Sequence, residues 1–168
     1  MRYIEERTIE ILKKLNITEA PVNPSECAQS LGVKVVSTEL ENDVSGLFVI
    51  KDGIAFIMFN KSESEHRQRF TIAHELGHFL LHKKTSLFID KTDIVLYRNS
   101  ESTTGALLKE REANAFAASL LMPKSFIEQE IVKKGNDKNI VSHLATKFNV
   151  SELAMSFRLS NLGYEVGW

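Results

Sequence analysis

The stretch RFTIAHELGHFLLH, residues 69–82, constrains this chain more than any other. It is mostly apolar, yet it carries His74, Glu75, His78 and His82. Apolar helices rarely take ionisable groups inside without a partner. Four residues along a helix turn through about 400°, so His74 and His78 stand one turn apart on one face. Two imidazoles placed in this way can grip one zinc ion at about 2.0–2.1 Å each. Glu75 lies about 100° round from His74. It is not placed to join them as a ligand, but it can hold an attacking water and take its proton. The fold must therefore anchor this helix through Leu76, Phe79 and Leu80, and Gly77 leaves room for another element to approach closely.

His82 stands apart from that pair. It is eight residues beyond His74, about 12 Å along the axis, and out of reach of an ion held by His74 and His78. The longer zinc pattern HExxHxxGxxH needs Gly at 81 and His at 84, where this chain has Leu81 and Lys84. His82 is read as a residue at the helix C-terminus, facing the negative end of the dipole.

A catalytic zinc site needs a third protein ligand and one open position. KEREANAF, residues 109–116, offers Glu110 and Glu112. They are about 200° apart on a helix, so one of them faces the metal. Two arguments favour Glu110. Asn114 is on its face four residues on and could orient a ligand histidine by accepting its other N–H, as zinc sites require. Ala113, Phe116, Ala117, Leu120 and Leu121 form a core stripe that Glu110 borders, whereas Glu112 lies farther round.

Taken in order, RFTIAHELGHFLLH and EREANAFAASLLMP resemble the signatures of the ImmA/IrrE family of metallopeptidases. The resemblance implies an α+β, compact zincin-like domain, with a small, mostly antiparallel sheet packed on the metal-binding helix and further helices at the C-terminal end. It implies that His74, His78 and Glu110 bind the metal and that Glu75 is catalytic. It also implies a metallo-endopeptidase whose substrate is a helix-turn-helix repressor, encoded nearby, controlling mobile-element or stress genes. Zinc is the expected ion; manganese or iron also suit a site of two histidines and one carboxylate. Tyr97, Arg98 and His143 are oxyanion-stabilising candidates by residue type alone.

The rest of the chain is read around that helix. At 168 residues a single domain is expected, with a catalytic core over 1–123 and a helical segment over 124–168. Residues 2–15 read as an amphipathic helix, PSECAQSLG as a short one, and VKVV (33–36) as a strand. Two β-rich runs, 45–50 and 54–59, flank Asp52-Gly53 as a hairpin. The second run is a candidate edge for an extended substrate or, equally, an interior strand. Ser62 and Glu65 suggest a capping box for a helix over about 63–82. Residues 83–104 read as irregular, with short strands in SLFID and DIVLYR, and as a candidate lid. A helix ending before Pro123 and three more over 124–162 complete the reading.

The last two helices, about 138–162, have a helix-turn-helix outline, with Ser151 as cap, Gly163 as stop, and Val150, Leu153, Ala154, Phe157 and Leu159 as packing positions. Their second helix carries only Arg158 as a cation, and the net charge is −1, so direct nucleic-acid binding is disfavoured. The lone Cys27 and the absence of a signal-like or membrane-spanning run give a cytoplasmic address as the expectation. The rival reading is a metal-containing binding protein, one half of a toxin–antitoxin or repressor-control pair. Glu75 discriminates between the two, because a closed structural site needs no carboxylate beside an open position. Oligomeric state has no signature here.

Overall fold

Asp52 and Gly53 both adopt positive φ, 51° and 76°, the backbone of a two-residue turn that suits the right-handed twist of paired strands. In the computed structural model this turn joins β2 (Gly46–Lys51) to β3 (Ile54–Asn60). The structure describes residues 2–41, 43–82, 93–95, 104–135 and 137–165. Most of the region suggested as a lid therefore lies outside the described residues, as do Tyr97 and Arg98.

The described chain forms two compact units, Asn23–Ala117 and a second made of Arg2–Val22 with Ala118–Trp168. In the first, α2 (Pro24–Ser30) starts on Asn23, whose side chain accepts from the N–H groups of Ser25 and Glu26, and leads into β1 (Val33–Thr38). The sheet has the order β1-β3-β2-β4, with β4 at Asp93–Val95. Here β1 runs parallel to β3, while β3–β2 and β2–β4 are antiparallel. The α+β class is as expected, and the sheet is mixed. With β1 on one side and β2 on the other, β3 is an interior strand with both rows of backbone groups engaged. It offers no edge to a substrate, and of the two alternatives the interior strand is the one found.

Against β2 and β3 packs α3 (Glu65–His82), the helix that carries the opening stretch. Its start also departs from the expected capping box. Ser64 Oγ accepts from the Arg67 N–H at 3.3 Å, so Ser64 rather than Ser62 caps the helix. Ser62 is engaged elsewhere: its N–H and hydroxyl both donate to Asn60 Oδ1, at 3.1 and 2.7 Å. The buried Asn60 also donates to the carbonyls of Leu40 and Val44, tying the loop before β2 to the start of α3. Gly46 lets β2 lie directly on α3. A Cβ there would fall on Thr71 Cγ2 and within 2.9 Å of the Met58 carbonyl oxygen.

In the second unit, α1 (Arg2–Lys14) buries Ile4, Thr8, Ile11 and Leu12 on one face. The unit also holds α5 (Lys124–Lys134), α6 (Ile140–Phe148) and α7 (Glu152–Asn161). Asn149, in the left-handed conformation, ends α6, and Ser151 Oγ accepts from the Ala154 N–H to start α7, as the cap reading required. The packing face of α7 differs from the one expected. Met155, Arg158 and Leu159 are buried, while Leu153 and Phe157 are exposed. The expected face mixed positions from both sides of the helix. Arg158 is drawn in by a specific set of acceptors. It donates to both carboxylate oxygens of Glu5, at 2.6 and 3.0 Å, and to the Met122 carbonyl at 2.9 Å. Ser119 also donates to Glu5 Oε2 at 2.8 Å. Burial pushes the Glu5 carboxyl up, but the hydrogen bonds and charge of Arg158, with the Ser119 hydroxyl, hold it below its ordinary value.

Removing one member of such a pair leaves the other charge buried and unmatched. Glu5→Ala is therefore expected to lower unfolding free energy by about 2–3 kcal/mol, read as a lower midpoint in urea denaturation.

Candidate metal centre

The site is built on α3 and on α4 (Thr104–Leu121), and every residue of it belongs to the first unit. On α3, Leu76 is fully buried and Phe79 packs on Phe48 of β2 with ring centroids 5.4 Å apart. Each such buried side chain contributes about 1.5–3 kcal/mol, and together they fix the rotation of α3. The opposite need, close approach to α4, is met at Gly77. A Cβ there would lie 3.1 Å from Phe116 Cβ and 3.2 Å from Ala113 Cα. The side chains of α4 can therefore reach the α3 histidines directly.

His74, His78 and Glu110 come together as the sequence suggested. The two Nε2 atoms are 3.0 Å apart, and Glu110 Oε1 and Oε2 lie 3.1 Å from His78 Nε2 and 3.4 Å from His74 Nε2. Ligand atoms around a tetrahedral zinc at about 2.0–2.1 Å are separated by ~3.3 Å. The two imidazoles and the carboxylate thus lie close enough together to share such an ion. Their exposure rises across the site, from 0% for the His78 side chain through 16% for His74 to 38% for Glu110. The cluster is sealed at its base and open at one side.

Protonation suits the same use. Asn114 Oδ1 lies 2.9 Å from His74 Nδ1. An amide oxygen only accepts, so the ring proton sits on Nδ1 and the Nε2 lone pair faces the cluster. Burial lowers the pKa of both histidines. For His78, burial together with the neighbouring His74, His82 and Lys109 brings it to about 3. Both rings are neutral at pH 7, the form that binds a metal.

Glu75 is buried on α3 beneath β2, its Cγ within 3.7 Å of where a Gly46 Cβ would stand. Glu112 does not join the three donors; its carboxylate meets His82 Nε2 at 2.9 Å. His82 therefore faces a carboxylate and His78 Nδ1, the latter at 3.1 Å, rather than simply the end of the helix dipole. The sequence reading missed this pairing because Glu112 lies thirty positions away. The signal was present in the repeated four-residue spacing His74, His78, His82 beside two glutamates. His143, an oxyanion candidate, sits on α6 in the other unit.

Residues 28–160 match the family model of the IrrE N-terminal-like domain, Peptidase M78. The chain belongs to this metallopeptidase family. It is 29% identical over 108 residues to an uncharacterised immunity region protein of Bacillus phage phi105, a match covering 64% of this chain and 63% of that one. It is 30% identical over 104 residues to the radiation response metalloprotease IrrE of Deinococcus radiodurans, covering 62% of this chain but 30% of the relative. It is 27% identical over 128 residues to the metallopeptidase ImmA of Bacillus subtilis, covering 74% and 69%. The chain thus spans less than two thirds of the first two relatives. Among solved structures, a Mycobacterium tuberculosis transcriptional regulator shares the fold, with a TM-score of 0.69 over 95% of this chain and 47% of that one, at 15% identity. No helix among the described residues is long and apolar enough to cross a membrane.

Two outcomes are expected from this geometry. Gly77→Val forces α4 away from α3, so zinc affinity measured by chelator competition should fall at least about tenfold, with overpacking costing about 1–3 kcal/mol of stability. The second concerns pH. Because the folded-state pKa of His78 is about 3 against an ordinary 6.5, the unfolded chain binds more protons between those values. The contribution of His78 is complete above about 6.5 and is lost as pH falls toward 3. The melting temperature of metal-free protein should drop through that window, and His78→Leu should flatten the drop.

Proposed function

We propose that this chain is a zinc-dependent endopeptidase acting on a protein substrate, with His74, His78 and Glu110 as the zinc ligands and Glu75 as the catalytic carboxylate. The observation that carries the reading is the convergence of two histidines of a His-Glu-x-x-His helix and the Glu110 carboxylate of α4, with the two Nε2 atoms 3.0 Å apart and a carboxylate oxygen 3.1–3.4 Å from each, open at one side. Zinc bound there supplies Lewis acidity toward a peptide carbonyl and lowers the pKa of a water toward neutrality. The residues of the chain do the rest. Asn114 holds the His74 ring by its Nδ1 proton. Glu75 takes the proton of the attacking water on its carboxylate and delivers it to the leaving amine nitrogen. The packing of β2 over Glu75 keeps bulk water from that carboxylate.

The substrate proposed is a helix-turn-helix repressor encoded near the gene. Likeness to a protein named for a phage immunity region supports a substrate drawn from the control of a mobile element, and likeness to the metallopeptidase ImmA supports the peptidase activity. A stress-response role is the variant suggested by likeness to the radiation response metalloprotease. A reducing cytoplasm suits the single buried thiol of Cys27.

The experiment is metal analysis and cleavage of the neighbouring repressor by wild type, Glu75→Gln and His78→Ala. Glu75→Gln should keep about one zinc per chain and lose at least about a hundredfold in cleavage rate. His78→Ala should lose both. Zinc in the wild type with a stable complex and no cleavage would replace this reading with that of a binding protein.

A further inference from the structure

We infer that Glu112 and His82 form an outer clamp on His78, a carboxylate–histidine relay that orients this ligand and raises its basicity toward the ion. The inference rests on the metal-site reading above and extends it to two residues beyond the three donors.

The relay is continuous and its direction is fixed. His78 Nε2 faces His74 and Glu110, at 3.0 and 3.1 Å, so in the metal-binding form its proton is on Nδ1. That nitrogen lies 3.1 Å from His82 Nδ1, which must accept. With Nδ1 accepting, the ring proton of His82 is on Nε2, 2.9 Å from Glu112 Oε2, where it is donated to a carboxylate. Each proton position follows from the one before it. The opposite tautomer at His82 would set two N–H groups facing each other at 3.1 Å. Both rings are buried and the Glu112 side chain is 20% exposed, so the chain of hydrogen bonds runs from near the surface to the base of the site. Hydrogen bonds in such surroundings are worth more than in water.

The two ligand histidines are therefore backed differently. His74 is held by a neutral amide, Asn114. His78 is held by a histidine that is itself held by a negative charge. A carboxylate behind a ligand imidazole fixes the ring and increases its electron donation, and loss of such support costs about 10–100-fold in metal affinity. This also gives the two glutamates of KEREANAF separate tasks. Glu110 contacts the ligand atoms, and Glu112 acts through His82. Neither Glu112 nor His82 touches the reacting atoms; both are positioning residues.

The test uses the full chain with zinc alone, by chelator competition, and with cobalt(II) as a spectroscopic probe. The variants are Glu112→Gln, His82→Leu and the double variant. Glu112→Gln keeps shape while removing charge, and its position near the surface makes it the variant that reports even if His82→Leu fails to fold. The expected result is zinc binding weakened about tenfold or more in Glu112→Gln, a shifted cobalt absorption band, and an unchanged melting temperature of the metal-free protein. The double variant should bind zinc no more weakly than His82→Leu alone, because the relay acts as one unit. Wild-type zinc affinity within about twofold in Glu112→Gln, with the same cobalt spectrum, would overturn the relay and leave the metal site standing. A folded wild type that binds no zinc would overturn both readings.

Discussion

The site depends on one close approach, that of α3 to α4 at Gly77. Phe116 and Ala113 occupy the space that a side chain at 77 would take. That contact brings the α4 backbone near enough for glutamate and asparagine side chains to reach the imidazoles without intervening water. Glu110 meets His74 and His78, Asn114 meets His74, and Glu112 meets His82. One missing Cβ thus sets several polar contacts at once. A glycine in the middle of a helix costs about 1 kcal/mol relative to alanine, a modest cost against the contacts it permits. The other close approach, β2 over Thr71 and Glu75 at Gly46, fixes the opposite side of the same helix. Between the two glycines, α3 has little freedom to rotate or slide.

Much of this was legible in the sequence, and the parts that were not share a physical cause. Periodicity gave the helices, and Asp52-Gly53 gave the hairpin, because those signals are local. That His74, His78 and Glu110 come together was readable because helix geometry sets the spacing of the two histidines and Asn114 marks the face of Glu110. The choice of Glu110 over Glu112 followed from Asn114 one turn on, and the observed His74–Asn114 contact agrees with it. Pairings set by tertiary packing were hidden. Ser62 lost the capping role to Ser64 because Asn60 claims its hydroxyl and N–H. The place of β3 inside the sheet depended on β1, which precedes it by a whole hairpin strand. The pairing of His82 with Glu112 joined two helices that no periodicity connects.

The C-terminal helices show the same limit from another side. α6 and α7 have a helix-turn-helix outline with good caps at both junctions. Outline alone does not define a DNA reader, since phosphate binding requires available cations. Arg158 is the basic residue of α7, and it is buried against Glu5 and the Met122 carbonyl. It joins residues 153 positions apart, so its use is tertiary. The outward positions Leu153 and Phe157 are apolar rather than basic. The charge that sequence alone would offer to a phosphate is committed inside the unit.

The arrangement of the donors also bears on how metal and fold depend on each other. Two imidazole lone pairs and a carboxylate are held 3.0–3.4 Å apart by packing that none of them chose. Without a cation between them, their partial negative charges repel. Burial prevents the usual relief, protonation of a ring, and so keeps His78 neutral to about pH 3. The clamps behind both rings oppose the other relief, rotation away from the cluster. If an ion is held by these three residues, the free energy of binding it would also hold α3 against α4. An ion bound by those donors would then be a part of the fold.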